Sequence, residues 1–342
     1  MRDRRVAVIP GDGIGPEQVE ATLKVLEAVQ QKFGFNISFV MVDAGDECFR
    51  KKGEALPQDT IEAIKDSDAI LKGPVGEMAR DVVVKLRLMF RLYANLRPAK
   101  AYQGIECLRP DIDFVMVREN TEDLYKGIEF ELDGSAIAIR IITETGSKDI
   151  ADYAFRLART RNKKRRVTVV HKANVMRVTD GLFRRMCQET SENYPDITVN
   201  EMYVDATAMN LIRIPQEFDV IVTTNLFGDI LSDEAAQLVG GLGVAPSANI
   251  GRDFALFEPV HGSAPDIAGR QTANPCSMIL SSKMMLEYFG ERGGGKEWMD
   301  AANAIEEAFI DTLKSGVTTP DLGGRSKTIE VGESIAQRIV EA

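Results

Sequence analysis

Asp229 and Asp233 stand four residues apart in a segment whose apolar spacing predicts a helix, so their carboxylates share one face. Such a pair repels unless solvent or a cation lies between its members; taken alone, a solvated acidic face explains it better than a binding site does. Asp205, within the mixed stretch 203–208, is a candidate third ligand. Three carboxylates without a nearby histidine suit a hard cation, Mg2+ or Mn2+. Arg87, Arg97 and Arg118 each fall at the end of an expected element. Guanidinium forks match carboxylates bidentately, so the three arginines together with the acids suggest a site for a di- or tricarboxylate. Lys172 directly follows an apolar strand, where its ammonium either projects into a cleft or lies on the surface. Both histidines fall in dense motifs, His171-Lys172-Ala173-Asn174-Val175 and His261-Gly262-Ser263-Ala264-Pro265-Asp266.

The elements that must position these groups follow from periodicity. Short apolar runs predict strands over 5–10, 36–42, 69–72, 114–118, 167–171 and 220–223. Helical spacing covers 17–31, 58–66, 81–93, 148–160, 181–193, 229–239 and 302–314. Residues 127–143 alternate around Asp133-Gly134, a hairpin signal. The stretch 240–274, rich in Gly, Pro and Ala, predicts a long functional loop region with short strands. Strand and helix alternate along the chain, which implies an α/β fold with a largely parallel sheet. The turn Gly11-Asp12-Gly13-Ile14-Gly15-Pro16 has the spacing GxGxG, not the GxGxxG of a dinucleotide fingerprint, and a tight structural turn explains it equally well.

Composition narrows the class. A net charge of -10 argues against nucleic-acid binding, and the one basic cluster, residues 163–166, is expected to be a solvated loop before a strand. No apolar run approaches the roughly 20 residues of a membrane span. Four cysteines without a CxxC pair suit a reducing compartment, and the cytoplasm is the expected location.

Taken in order, the segments GDGIGPE (11–17), LYANLRPAK (92–100), RENTEDLYKG (118–127), HKANV (171–175), NLFGDILSDEA (225–235) and LFEPVHGSAPDIAG (256–269), with Asn274, make the chain resemble the β-decarboxylating dehydrogenases. This is the family of isopropylmalate, isocitrate and homoisocitrate dehydrogenases, and the resemblance is strongest to archaeal-type isopropylmalate members. It implies a two-domain fold distinct from Rossmann: residues 1–95 with 242–342 in one domain, and 96–241 in a central domain with a dimerisation arm, to which the 127–143 hairpin would contribute. It implies that Arg87, Arg97 and Arg118 clamp the malate carboxylates, and that Asp205, Asp229 and Asp233 hold Mg2+ or Mn2+ as a Lewis acid. Lys172 would take the hydroxyl proton and Tyr125 would protonate the product carbon. In the family the lysine and one aspartate come from the partner subunit, which makes Lys172 and Asp205 trans contributions to a shared site in a homodimer or larger homo-oligomer. NAD would lie on Ile14, His261, Gly262, Ser263, Ala264, Pro265, Asp266 and Asn274, with Asp266 accepting from the ribose hydroxyls and repelling a 2′-phosphate.

The helix before Arg87 faces the substrate's variable group in this family. Val83 and Val84 offer that group an apolar surface, which suits an isopropyl substituent and leaves a third carboxylate without a partner. The expected substrate is 3-isopropylmalate, oxidised to 2-oxoisocaproate. Homoisocitrate, isocitrate and tartrate or another malate are the alternatives, as is, in a different class, a non-catalytic regulatory subunit. Three features depart from bacterial isopropylmalate enzymes: His171 before the lysine, the ENTEDLY segment, and Arg80 where a glutamate would approach the nicotinamide, a role open to Glu77.

Overall fold

The computed structural model describes residues 3–342. Its strands are β1 (Arg4–Ile9), β2 (Ile37–Met41), β3 (Ala69–Lys72), β4 (Ala94–Lys100), β5 (Asp113–Glu119), β6 (Glu129–Leu132), β7 (Ser135–Ala138), β8 (Arg166–His171), β9 (Thr198–Tyr203), β10 (Val220–Thr223), β11 (Pro246–Ile250) and β12 (Ala255–Pro259). Its helices are α1 (Gly15–Phe33), α2 (Asp46–Lys52), α3 (Gln58–Lys65), α4 (Asp81–Met89), α5 (Glu144–Arg161), α6 (Thr179–Ser191), α7 (Val204–Arg213), α8 (Asn225–Leu238), α9 (Cys276–Phe289), α10 (Lys296–Lys314) and α11 (Thr328–Glu341).

Ten strands form one sheet in the order β2-β1-β3-β12-β11-β4-β5-β10-β8-β9. The outer pairings are parallel, as the alternation of strand and helix requires. The three central pairings, β12–β11, β11–β4 and β4–β5, are antiparallel, so the sheet is more mixed than the sequence pattern predicts. The α/β class stands.

Strand alternation places side chains on two faces. On the first, Val6, Val8, Leu71, Leu96, Val117, Val169, Val222 and Phe257 join a continuous core with α1, α5, α9, α10 and α11. The second face is apolar only at its two sides: Ala7, Ile9, Ile70 and Leu256 pack with α4, and Phe114, Met116, Val170 and Ile221 pack with α8. Between them the same face carries Lys72, Glu258, Asn249, Ser247, Asn95, Arg97 and Arg118. This polar break in an otherwise apolar surface is where the site lies.

Several boundaries differ from the periodic reading. The helix expected from 229 begins at Asn225, which puts Asp229 in its second turn. The helix expected over 81–93 ends at Met89, and Arg91 takes a left-handed φ of 48° before the chain enters β4. β4 escapes the apolar pattern because Asn95, Arg97 and Pro98 interrupt it. β9, α2 and α7 are likewise elements that the periodic reading does not predict. The basic cluster is an exposed loop before β8, as expected, although its side chains are tied down at their tips. Lys163 pairs with Asp113, Lys164 donates to the carbonyls of Gln216 and Phe218, and Arg166 opens β8.

The hairpin forms as expected. β6 and β7 pair antiparallel around Asp133 (φ 46°) and Gly134 (φ 77°), two successive left-handed residues that match a two-residue primed turn. Both of its faces are exposed, with Phe130 48% and Leu132 56% accessible. No helix among the described residues is long and apolar enough to cross a membrane, and the four cysteines are free.

Candidate active site

Arg118, next to last in β5, is buried, 1% exposed, beneath the first turn of α8. A Cβ on Gly228 would fall 2.5 Å from Arg118 Cγ, so glycine at 228 lets the helix rest on the arginine. Arg118 Nε donates to the carbonyl and to Oδ1 of Asn225, each at 3.0 Å, and Nη1 donates to Asp229. Tyr125, in the tight turn Asp123–Lys126, donates its hydroxyl to the other oxygen of Asp229 and presents its ring 5.0 Å from the Arg118 guanidinium. From β4, Arg97 reaches Asp233 at 3.1 Å and Asp229 at 3.7 Å. Arg87, on α4, is buried and meets Glu258 at 3.4 Å.

The electrostatics follow from this crowding. Burial, with the Arg97 and Arg87 charges adding to it, lowers the Arg118 pKa to about 10. Burial opposes ionisation of Asp229, but Arg118, the Tyr125 hydroxyl and Arg97 outweigh it and hold the carboxyl below its ordinary value. Asp233 goes the other way: burial and the Asp229 charge raise it despite Arg97. Burial and the hydrogen bond to Asp229 raise Tyr125, which keeps its proton at neutral pH.

Val82, Val83 and Val84 divide as helical geometry requires. Val82 points into the core, and Val83 and Val84 are partly exposed, four and three residues before Arg87 and therefore on its side of α4. Glu77 and Arg80, at the entrance to α4, are exposed.

Lys172 and Asp205 form a second group. Lys172, just after β8, and Asp205, in the first turn of α7, bring Nζ and Oδ1 to 2.5 Å, with side-chain exposures of 23% and 63%. The Lys172 hydrogen bond lowers the Asp205 pKa. No cluster of three metal-ligating acids, cysteines or histidines occurs among the described residues, so within one chain Asp205 does not join Asp229 and Asp233.

The third group is the 261–274 loop. The Ile14 amide donates to the Ser263 carbonyl at 2.9 Å, and a Cβ on Gly13 would sit 1.9 Å from that oxygen, so the GxGxG turn is a close backbone docking point. Ala264 is left-handed (φ 39°), and Gly262, Pro265 and Asp266 are exposed around it. Gln18, fully buried and absent from the sequence reading, ties the loop ends together. Its Nε2 lies 3.1 Å from His261 Nε2 and donates to the Asn274 carbonyl at 2.7 Å. Asn274 in turn donates to Asp321 at 2.9 Å. Burial lowers the His261 pKa, which suits a neutral ring accepting from Gln18.

The isocitrate/isopropylmalate dehydrogenase family model matches residues 5–335. The chain belongs to this family. It is 54% identical to the 3-isopropylmalate/3-methylmalate dehydrogenase of Methanocaldococcus jannaschii, covering 98% of this chain and 99% of that protein. It is 47% identical to a homoisocitrate dehydrogenase of the same organism, covering 98% and 97%. Among solved structures, the isocitrate dehydrogenase of Methylococcus capsulatus superposes with a TM-score of 0.90 at 44% identity, covering 98% of this chain and 99% of that one. The family expected from the motifs, and with it the mixed α/β fold and the dehydrogenase class, is therefore the one found.

Proposed function

We propose that the protein oxidises and decarboxylates 3-isopropylmalate to 2-oxoisocaproate with NAD, a reaction of leucine biosynthesis. The observation that carries this reading is the pairing on α4 of Arg87, turned to the arginine cluster, with two partly exposed valines on the same side. An isopropyl group beside Val83 and Val84 gains about 0.8 kcal/mol per buried CH2. A third carboxylate there would lose hydration without a partner, at a cost of several kcal/mol. α4 has no second arginine to offer it, which counts against homoisocitrate and isocitrate. A non-catalytic subunit is disfavoured because the acids, the lysine and the tyrosine are all in place.

Arg87, Arg97 and Arg118 bind the substrate carboxylates. Asp229 and Asp233 are half-open oxygen donors on one helix face, which fits a hard cation, but one chain supplies only this pair. Asp205 of a second copy completes the set, and Lys172 of that copy takes the hydroxyl proton at Nζ. A Mg2+ or Mn2+ held by these acids would supply Lewis-acid polarisation of the hydroxyl and of the carbonyl formed from it. Tyr125, kept protonated by burial and Asp229, donates its hydroxyl proton to the product carbon. Arg97 and Arg118 pair with Asp229 and Asp233, and Arg87 pairs with Glu258, so none of the three buried guanidinium groups lacks an acid.

NAD lies along the 261–274 loop and Ile14, with Asp266 exposed to meet the ribose hydroxyls. The division into 1–95 with 242–342 and 96–241 is supported by sheet order: the former supply β2-β1-β3-β12-β11 and the latter most of β4 and all of β5-β10-β8-β9. The exposed hairpin serves as the dimer arm, and the free cysteines accord with the cytoplasm.

The test is kcat/KM with NAD and Mn2+ for 3-isopropylmalate, homoisocitrate and isocitrate, in the wild type and in Val84→Arg. The wild type should favour 3-isopropylmalate, and the variant should shift relative efficiency toward homoisocitrate. A wild type preferring a tricarboxylate overturns the substrate assignment.

A further inference from the structure

Beneath the arginine cluster runs a chain of buried polar groups that crosses the antiparallel seam between β4 and β11. Asn95 and Asn249 face each other directly across this seam, and both are fully buried. Arg97 Nε donates to Asn95 Oδ1 at 2.8 Å. Asn95 Nδ2 donates to Asn249 Oδ1 at 3.0 Å, and Asn249 Nδ2 donates to Glu258 Oε1 at 2.9 Å. The same Glu258 oxygen accepts from Arg87 at 3.4 Å, while Lys72 holds the other at 2.8 Å.

The ends fix the polarity of the chain. A guanidinium only donates and a carboxylate only accepts, so each amide between them has one workable orientation, with its oxygen toward Arg97 and its nitrogen toward Glu258. Asn120, also buried, donates 2.9 Å to Asn249 Oδ1 and occupies that oxygen's second lone pair. Burial would favour the neutral form of Glu258, but Lys72 and Arg87 outweigh it and keep the acceptor ionised.

We propose that Asn95 and Asn249 are positioning residues that hold Arg97 and Arg87 in mutual register, so that two arginines carried on opposite sides of the seam meet the two carboxylates of one substrate. Two unbranched amides could satisfy themselves in many ways at a surface. Fully buried and linked end to end from Arg97 to Glu258, which in turn holds Arg87, they tie the position of one arginine to that of the other. A shift of β4 against β11 must break a buried hydrogen bond or carry both arginines with it. The inference rests on the assignment of Arg87 and Arg97 to carboxylate binding.

The experiment compares Asn249→Leu with the wild type and with Arg97→Lys. KM for 3-isopropylmalate, for malate lacking the 3-substituent and for NAD is measured in each, along with kcat. Positioning requires Asn249→Leu to raise KM roughly ten- to hundredfold for both malates alike, since they share the two carboxylates, and to leave KM for NAD within about twofold. Asn249→Ser keeps a small group that can accept from Asn95 and Asn120 but is too short to donate to Glu258; it should show the same split, and it serves if the leucine variant does not fold. A variant in which KM for the malates stays within about twofold, while Arg97→Lys raises it, overturns the inference and leaves the carboxylate clamp standing. Loss of kcat with all three KM values moved together marks a merely structural role and also overturns it. If Arg97→Lys itself leaves KM for the malates unmoved, the clamp fails and the inference falls with it.

Discussion

The Arg118–Asp229 cluster and the Lys172–Asp205 pair are built to different standards of enclosure. Arg118 is buried, pinned by Asn225 and Asp229, stacked near Tyr125 and roofed by Gly228. Lys172 and Asp205 share a single ion pair, with Asp205 largely open to solvent. A buried arginine without its acid would strand a charge, so the first group must be pre-organised inside one chain. An exposed pair is worth little to stability and can exchange partners at low cost. On the proposed assignment, the contrast means that one chain would hold the whole carboxylate clamp and only part of the metal and proton-transfer groups, as expected of a site finished by a second copy.

The largest effect should come from the enclosed side. Asp229→Asn removes a proposed metal ligand and the partner of both Arg118 and Tyr125, so turnover should fall on the order of a thousandfold and Mn2+ affinity with it. Near-normal turnover with unchanged Mn2+ titration would remove Asp229 from the site. The open side is tested by mixing. Lys172→Met and Asp229→Asn homo-oligomers should each be inactive. Refolding the two together should restore roughly a quarter of wild-type activity, since half of randomly formed dimers are mixed and each has one intact site. No recovery despite demonstrated mixed dimers would show that each chain works with its own lysine.

The smallest effect concerns the support under the clamp. Glu258 is held at about 2, below its ordinary value of 4.5. Its folded-state pKa is depressed, so its stabilising contribution is full above pH 4.5 and is lost as pH falls toward 2. Glu258→Gln should therefore cost roughly 3 kcal/mol near neutrality, and that difference from wild type should shrink steadily below pH 4.5. Urea unfolding at pH 7, 5 and 3 measures it; a difference that does not vary with pH would mean the carboxylate is not the source.

Much of the fold was legible because burial repeats. Val220–Thr223 and Ala69–Lys72 are apolar runs flanked by turn residues, and their bounds were read correctly. The hairpin at Asp133-Gly134 was legible from turn chemistry, since few residues tolerate two successive left-handed positions. β4 was not legible, because its inward residues are the polar ones: Asn95 and Arg97 occupy positions where alternation leads one to expect valine or leucine. That failure marks the site itself, the gap on the sheet's second face between its two apolar flanks.

Residue type and order by themselves determined the family motifs, the i,i+4 placement of Asp229 and Asp233, and the apolar pair beside Arg87, all of which are local relations along one element. Three things were decided only by tertiary structure. The pairing of Asn95 with Asn249 joins positions 154 residues apart, Gln18 fastens a loop 243 residues away, and Asp205 is separated from the two acids with which it is proposed to share a cation. Periodicity records which face of an element is buried, but not which other element covers it. Contacts between buried polar groups depend on that second fact, because their energy comes from a partner's orientation and exclusion from water, not from any spacing in the chain.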